Sequence, residues 1–229
     1  MKIFSHRGLH HNATENTLEA FEAAIALGID GIETDIRVSA DGIPVLHHDP
    51  CLANGNEISG LTFTQINQQS PYPIPQLEEA LALEVPLQFC WNLELKTIDS
   101  FRVATQVLKH TKVKTPILFT SFWHDGIVAM IKDKPYLKRS HFGLLWASHP
   151  FNFEQPQWFE EYPDITTLVF YQERLSLELI QACHLKGLDI GSYGDQSPTD
   201  ISRLKSLGID LLITDRPRDA QNQKRSQSS

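Results

Sequence analysis

The stretch GIETDIRVSADGIPVLHHDP, Gly31 to Pro50, places two acids inside an apolar strand pattern and then ends on a pair of histidines. Successive side chains of a strand point to opposite faces, so Glu33 and Asp35 share one face. Ile32 and Ile36 share the opposite, apolar face. The stretch therefore predicts a strand that packs through one face and carries ionisable groups on the other.

Working outward from this stretch, strand-like runs alternate with helix-period segments along the chain. We predict strands at Lys2–His6, Gly31–Val38 (with a short extension at Pro44–His48), Pro86–Lys96, Ile117–Phe122, His141–Trp146, Thr166–Tyr171, Leu188–Tyr193 and Asp210–Asp215. Eight strands separated by helices predict an α/β fold, a (β/α)8 TIM barrel. A doubly wound open sheet is the rival architecture, and the strand number favours the barrel. We predict a single domain over residues 1–218, followed by a polar, disordered tail over residues 219–229.

Composition limits the possible classes of function. The 229 residues carry a formal net charge of -8, which argues against a general nucleic-acid or anionic-membrane binder. No apolar run is long enough to cross a bilayer, and the amino terminus leaves no room for a signal-peptide apolar region. The three cysteines are widely spaced and read as reduced residues. We therefore expect a cytoplasmic protein with no stable membrane insertion.

Three predicted strands send ionisable side chains to one side. The outer face of a barrel strand meets the helices and should be apolar, so Glu33 and Asp35 are expected to point inward. Glu94 and Lys96 share one face of the third strand, and His6 ends the first strand. Barrel active sites lie at the carboxyl ends of the strands, which is where these groups are expected to meet.

Three inward-facing carboxylates, those of Glu33, Asp35 and Glu94, would repel one another at low dielectric. A divalent cation resolves this repulsion, and an all-carboxylate set suits the hard ions Mg2+ or Ca2+. The structural alternative is a buried polar network in which these acids pair with Arg7, Arg37 or Lys96. Arg7 and Lys96 could serve as ion-pair partners or hold an anion beside the metal.

His6 and His48 are the candidate general acid and base, because histidine changes charge near neutral pH. His47 and His48 point to opposite faces of an extended run, so only one of them can serve the site. The remaining histidines are interpreted as core or surface residues: His10, His11, His47, His110, His124, His141, His149 and His184.

Motifs in a fixed order connect these residues to a known family. They are HRG ending at Gly8, ENT-x-x-AF (Glu15–Phe21), G-x-D-G-x-E-x-D (Gly28–Asp35), DG-x-P-V-x-x-HD (Asp41–Asp49), N-x-E-x-K (Asn92–Lys96) and TDRP (Thr214–Pro217). This ordered set resembles the glycerophosphodiester phosphodiesterases, in particular their short, bacterial, cytoplasmic type.

The resemblance implies a TIM barrel that hydrolyses glycerophosphodiesters to sn-glycerol 3-phosphate and an alcohol with a divalent metal. It implies Glu33, Asp35 and Glu94 as metal ligands, His6 and His48 as the acid–base pair, and Arg7 and Lys96 as phosphate-binding residues. One departure concerns the family's Trp-Thr-Val-Asn run on the seventh strand, where this chain has IGSYGD (Ile190–Asp195). The metal and histidine set is intact, so this departure bears on the range of substrates.

Two alternative functions remain open at this stage. A lysophospholipase D would keep the chemistry and add an apolar entry surface, for which Phe122–Asp125, Leu144–Phe151 and Trp158 are candidate rims. A non-catalytic barrel that binds a phosphorylated ligand would be expected to lack one of the histidines or carboxylates, and none is missing.

Overall fold

The computed structural model describes residues 1–11, 13–132, 137, 139–148 and 162–225. Its strands are β1 (Lys2–His6), β2 (Gly31–Val38), β3 (Pro44–Leu46), β4 (Cys90–Leu95), β5 (Ile117–Ser121), β6 (Ser140–Trp146), β7 (Ile165–Tyr171), β8 (Asp189–Tyr193) and β9 (Leu211–Thr214). The α-helices of the described residues are α1 (Leu18–Leu27), α2 (Phe63–Gln69), α3 (Leu77–Leu81), α4 (Ile98–His110), α5 (His124–Ile131), α6 (Leu177–His184), α7 (Pro198–Leu207) and α8 (Pro217–Arg225).

Parallel strands close into a barrel. The strand order is β1-β9-β8-β7-β6-β5-β4-β2, and β1 also pairs with β2, so this ring has no free edge. The remaining strand, β3, lies outside the ring and pairs antiparallel with β2. The closed ring confirms the predicted (β/α)8 fold over the open sheet. The strand predicted from Pro86 begins only at Cys90.

Side chains that alternate between the two faces of each strand form two separate apolar regions. The larger one packs the outer strand faces against the helices and includes Ile32, Ile36 and Leu93, all fully buried. The smaller one fills the barrel with Phe4, Leu118, Leu145, Val169, Leu211 and Ile213. Since side chains alternate, the residue of β1 that follows Phe4 on the inner face is His6. The polar side chains at the carboxyl ends of the strands therefore lie next to the apolar core inside the barrel.

Strand register brings the predicted inward-facing residues side by side. His6 of β1 lies opposite Glu33 of β2. On the other side of β2, Glu33 lies opposite Asn92 and Asp35 lies opposite Glu94 of β4. Neighbouring strands are about 4.8 Å apart, so residues in register on one face are in direct reach of one another.

Several helices that follow the strands begin at hydroxyl caps. The Thr97 side chain accepts a hydrogen bond from the Ser100 amide at the start of α4. Ser176 caps α6 and Ser197 caps α7 in the same way. These caps satisfy backbone N–H groups that the first helical turn leaves without partners, and so they fix the loops at the carboxyl end of the barrel.

The carboxyl-terminal segment differs from the prediction of a disordered tail from residue 219. Helix α8 covers Pro217–Arg225, with Ala220 fully buried. Gln221 Nε2 donates to the carbonyl of Gly28 at 2.5 Å, and Lys224 Nζ lies 2.7 Å from Asp30 Oδ2. The polar composition suggested disorder, but these contacts with the loop before β2 hold the segment as a helix. Residues 226–229 lie outside the described residues.

Candidate active site

A cavity of about 210 Å³ opens at the carboxyl ends of the strands. Its lining residues are His6, Arg7, Glu33, His48, Asn92, Glu94, Lys96, Thr120, Phe122, Leu145, Tyr193 and Ile213. A larger groove of about 690 Å³ runs beside α1 and α2, away from the acid cluster. The small cavity is the candidate active site because it is the one that the predicted ionisable residues line.

Three buried carboxylates meet at one side of this cavity. Glu33, Asp35 and Glu94 each offer an oxygen atom, and these atoms all lie within 4.8 Å of one another. Such a group suits a hard divalent cation, whose ligands are carboxylate and other oxygen atoms. Among the described residues, it is the one cluster of this kind.

Asp35 is neutralised within the protein. Its Oδ1 lies 2.9 Å from Lys96 Nζ, and its Oδ2 lies 3.0 Å from Arg7 Nε. Burial acts to raise the pKa of Asp35, but Lys96 and Arg7 outweigh burial and hold the pKa below its ordinary value. Asp35 is therefore ionised around neutral pH.

Glu33 is in the opposite situation. Neither of its carboxylate oxygens has a hydrogen-bond partner among the described residues, although the side chain is almost fully buried. Burial, together with the charges of Asp35 and Glu94, raises the pKa of Glu33 to about 8, against the lowering effect of His6. Two buried acceptor oxygens without donors are costly, and a bound cation would satisfy them. The residues present thus fit a divalent metal.

Glu94 completes the acidic group. It accepts a hydrogen bond from the Lys96 ammonium, which also pairs with Asp35. Burial raises the pKa of Glu94 above its ordinary value even though Lys96 acts to lower it. Lys96 thus bridges two of the three carboxylates and lies at the cavity wall.

Arg7 reaches the cluster from a strained turn. It directly follows β1 and has a φ of 56°, in the left-handed region, and Gly8 continues the turn at 85°. A Cβ on Gly8 would lie 2.8 Å from the Ala20 carbonyl carbon, so only glycine fits there. Besides Asp35, the guanidinium contacts Glu15, with Nη1 at 2.9 Å from Oε1. The turn aims a cation at the cavity, and strained backbone of this kind is concentrated at functional sites.

Asn16 was not predicted as a site residue. It is buried with a φ of 56°, and its Nδ2 donates to Asp35 Oδ2 at 2.9 Å. Its Oδ1 accepts from Thr34 Oγ1 at 2.7 Å. Asn16 thus holds one carboxylate oxygen of Asp35 while Lys96 contacts the other. The ENT motif was a signal at the right position, but it said nothing about this contact.

His6 stands between two acids. Its Nδ1 lies 2.7 Å from Asp215 Oδ1, and its Nε2 lies 3.8 Å from Glu33 Oε2. Burial acts to lower the pKa of His6, but the Asp215 hydrogen bond and the Glu33 charge raise it overall. Sequence reasoning missed Asp215, which follows β9. The interpretation of His10 as a bystander also overlooked a contact, because its Nε2 lies 3.2 Å from the same Asp215 oxygen.

His48 lines the cavity from the loop after β3. Its Nδ1 lies 2.8 Å from the Oδ1 of the adjacent Asp49. The Arg37 Nε donates to the His48 carbonyl at 2.8 Å, which anchors the backbone of the loop. His47 turns away, with its Nε2 3.3 Å from the Cys51 carbonyl, in agreement with opposite orientations for the two neighbours.

Asn92 forms part of the floor. Its Oδ1 accepts from Thr120 Oγ1 at 2.7 Å, while its Nδ2 has no hydrogen-bond partner among the described residues. The side chain is fully buried and lines the cavity. A buried amide with an unused donor beside Glu33 provides a hydrogen bond for a bound molecule.

An apolar wall faces these polar groups. Phe122, Leu145, Tyr193 and Ile213 form it. The Phe122 and Tyr193 rings meet edge to face with their centroids 6.2 Å apart. Burial raises the pKa of the Tyr193 phenol to about 12, so this hydroxyl stays protonated near neutral pH. Tyr193 belongs to the IGSYGD stretch that departs from the family pattern.

Exposed apolar side chains surround the entrance. Ile98, Phe122, Trp123 and Leu177 follow the carboxyl ends of β4, β5 and β7, with exposed fractions between 46% and 71%. Of the other rim candidates, Trp158 and the part of Leu144–Phe151 beyond Ser148 lie outside the described residues. None of the described helices is long and apolar enough to cross a membrane.

Known proteins resemble this chain over almost its whole length. Residues 6–219 match the model of the glycerophosphoryl diester phosphodiesterase family. A glycerophosphodiester phosphodiesterase of Bacillus altitudinis is 27% identical, over 94% of this chain and 95% of the relative. One of Caldanaerobacter subterraneus is 26% identical, over 94% of each chain. A phosphodiesterase of Oleispira antarctica, solved in complex with the product sn-glycerol-3-phosphate, has the same fold, with a TM-score of 0.85 at 24% identity over 98% of this chain and 97% of that one.

Proposed function

This chain belongs to the glycerophosphoryl diester phosphodiesterase family and is a glycerophosphodiester phosphodiesterase, and we propose that it works by metal-assisted acid–base hydrolysis. The products are sn-glycerol 3-phosphate and an alcohol. The observation that carries this proposal is the cavity in which three buried carboxylates, two cations and two histidines meet. We also propose a cytoplasmic location, in keeping with the expectation from the sequence.

In this proposal Glu33, Asp35 and Glu94 hold the divalent cation, Mg2+ or Ca2+. The bound ion supplies positive charge for the phosphoryl oxygens of the substrate, as metal ions do in many phosphate-transfer sites. The unpartnered oxygens of Glu33 and the mutual approach of the three carboxylates support this assignment.

Arg7 and Lys96 bind the phosphate. Both cations border the cavity, and each is already held in place by Asp35. Charges fixed before the substrate arrives need no reorganisation during the reaction, which makes them effective in stabilising a transition state. The Asn92 amide adds a neutral donor at the floor of the cavity.

His6 and His48 move the protons. Each presents an imidazole to the cavity and has an acid on its Nδ1, so Nε2 is the atom available to the substrate. One histidine removes a proton from the nucleophile as its oxygen bonds to phosphorus. The nucleophile is water or the glycerol hydroxyl of the substrate; in the second case water then opens the cyclic phosphate to give the same product. The other donates a proton to the departing alcohol. Such proton transfers contribute on the order of 10² to 10⁴ in rate.

The proposal is tested by assaying glycerophosphoethanolamine cleavage after chelation, and then after Mg2+ or Ca2+ has been restored. We expect release of sn-glycerol 3-phosphate only in the presence of a divalent ion. The exposed Glu78, on α3, offers a control, and the Glu78→Gln variant should cleave like the unmodified enzyme. An absence of metal-dependent release would refute the proposed function.

A second candidate, lysophospholipase D, is favoured by the exposed apolar residues at the entrance. Ile98, Phe122, Trp123 and Leu177 lie on the face where a lysolipid acyl chain would emerge from the cavity. Comparing lysophosphatidylcholine with glycerophosphocholine decides between the two substrates. A Trp123→Ser variant that loses activity only on the lysolipid would support this candidate, whereas equal effects on both substrates would count against it.

A further inference from the structure

We propose that Asp215 is a positioning residue that fixes the tautomer and orientation of His6. This inference rests on the proposed function, in which His6 exchanges a proton with the substrate. The acid follows β9, almost the whole chain length away from His6, and closure of the barrel brings the two side chains together.

A short hydrogen bond joins the two side chains. His6 Nδ1 and Asp215 Oδ1 are 2.7 Å apart. An ionised carboxylate can only accept, so Nδ1 must carry the hydrogen atom. Neutral His6 then has its lone pair on Nε2, which faces Glu33 across 3.8 Å at the cavity. When His6 takes up a proton at Nε2, Nδ1 keeps its own hydrogen and Asp215 stays ionised.

The pairing of β1 with β9 places Asp215 beside His6. Ser5 of β1 pairs with Thr214 of β9, so the residues that follow them, His6 and Asp215, are neighbours at the barrel closure. Thr214 Oγ1 donates to Asp195 Oδ2 at 2.7 Å and accepts from the Arg216 amide at 2.9 Å. The strand pairing and the two hydrogen bonds of the Thr214 hydroxyl therefore anchor the residues on either side of Asp215.

A second histidine, His10, contacts the same carboxylate oxygen of Asp215. His10 Nε2 lies 3.2 Å from Asp215 Oδ1, and His10 belongs to the loop that also carries Arg7 and Gly8. The Leu9 amide donates to the Ala20 carbonyl at 2.8 Å, which ties this loop to α1. Asp215 Oδ1 is thus in contact with two histidine side chains, His6 and His10.

The acid that contacts His48 is held less firmly than the acid that contacts His6. The acid of His48 is Asp49, its own neighbour in the chain, and the Asp49 side chain is largely exposed. Asp215 directly follows a strand and contacts two histidines, and its side chain is 55% exposed, against 71% for Asp49. We expect the loss of an orienting acid to be felt most strongly at His6, because its acid is held by the fold itself.

The test combines kinetics with a direct measurement of the tautomer. We expect Asp215→Ala and Asp215→Asn to lower kcat on the order of 10²-fold, with KM changed less than threefold. Asp219, a partly exposed acid in the first turn of α8 that pairs with Arg216, provides the matched control, and Asp219→Asn should leave both constants unchanged. If the unmodified enzyme is inactive, the proposed function fails; if it is active and both Asp215 variants lose less than tenfold in kcat, the positioning role fails.

The tautomer is read independently of activity. Nitrogen NMR of the chelated, neutral imidazoles, assigned with a His6→Gln variant, should show hydrogen on Nδ1 of His6 in the unmodified protein. In Asp215→Ala this preference should disappear. A His6 that carries its hydrogen on Nε2 in the unmodified protein would overturn the inference, even if the Asp215 variants failed to fold.

Discussion

The two walls of the active-site cavity differ in kind. The charged wall comes from β1, β2 and β4, where side chains such as Glu33, Glu94 and Lys96 constrain one another through ion pairs. The apolar wall comes from β5, β6, β8 and β9, where Phe122 and Tyr193 make ring contacts. The charged wall carries the proposed chemistry. We propose that the apolar wall shapes the space for the departing alcohol and strengthens the charges opposite by excluding water. Changes on the first wall should therefore affect the rate, and changes on the second the choice of substrate.

The largest effect is expected at Glu33. Glu33→Gln removes a proposed metal ligand and should lower kcat on the order of 10³-fold. It also removes a buried charge that has no hydrogen-bond partner, so the chelated variant should have a Tm at pH 8 equal to or above that of the parent. Activity assays and thermal unfolding, with Glu78→Gln as the control, check both results. Near-full turnover in Glu33→Gln would show that the charged wall is misassigned.

Lys96→Met should lower kcat/KM by roughly 10²-fold, because it removes a proposed phosphate-binding cation. Unlike Glu33→Gln, it should also lower the Tm, since Asp35 and Glu94 would lose their shared partner. Thermal unfolding of the two variants side by side measures this contrast. Equal shifts of Tm in the same direction would contradict the view that the Lys96 ammonium stabilises the charged wall whereas the buried Glu33 carboxylate destabilises it.

Glu33 contributes to the pH dependence of stability. Its pKa is raised from an ordinary value of 4.5 to about 8 in the folded protein, so folding favours the protonated form. Its contribution to stability is therefore complete below about pH 4.5 and is lost as the pH rises towards 8. The chelated protein should lose Tm across this range, and Glu33→Gln should flatten the profile. An unchanged slope in the variant would exclude Glu33 as the cause.

The smallest effect is expected on the apolar wall. Tyr193→Leu keeps an apolar surface but removes the phenol and the edge-to-face contact with Phe122. We expect total activity to change on the order of tenfold, the lower end of the range for an altered apolar contact in a binding pocket. The ratio of kcat/KM for glycerophosphocholine and glycerophosphoethanolamine should shift. A large loss of kcat with no change in this ratio would instead indicate that Tyr193 takes part in the reaction and not in the choice of substrate.

Local patterns were sufficient for much of the fold. The bounds of β1 and β2 agree with the predicted strands, because alternation and the flanking turns are written into short stretches of sequence. The helix over Pro217–Arg225 could not be read in this way, since its stability depends on contacts with the loop before β2. A polar segment appears unstructured until its partner surface is known.

The inward orientation of Glu33, Asp35 and Glu94 was determined by the sequence alone, because strand period and an apolar opposite face leave one arrangement for them. Their catalytic roles, and those of His6, His48, Arg7 and Lys96, stay predictions until the variants are measured. Only the tertiary structure decided that His6 and His10 meet at Asp215, and that Asn16 holds Asp35. Barrel closure joins the first strand to the last, and no local pattern encodes a contact between residues at opposite ends of the chain.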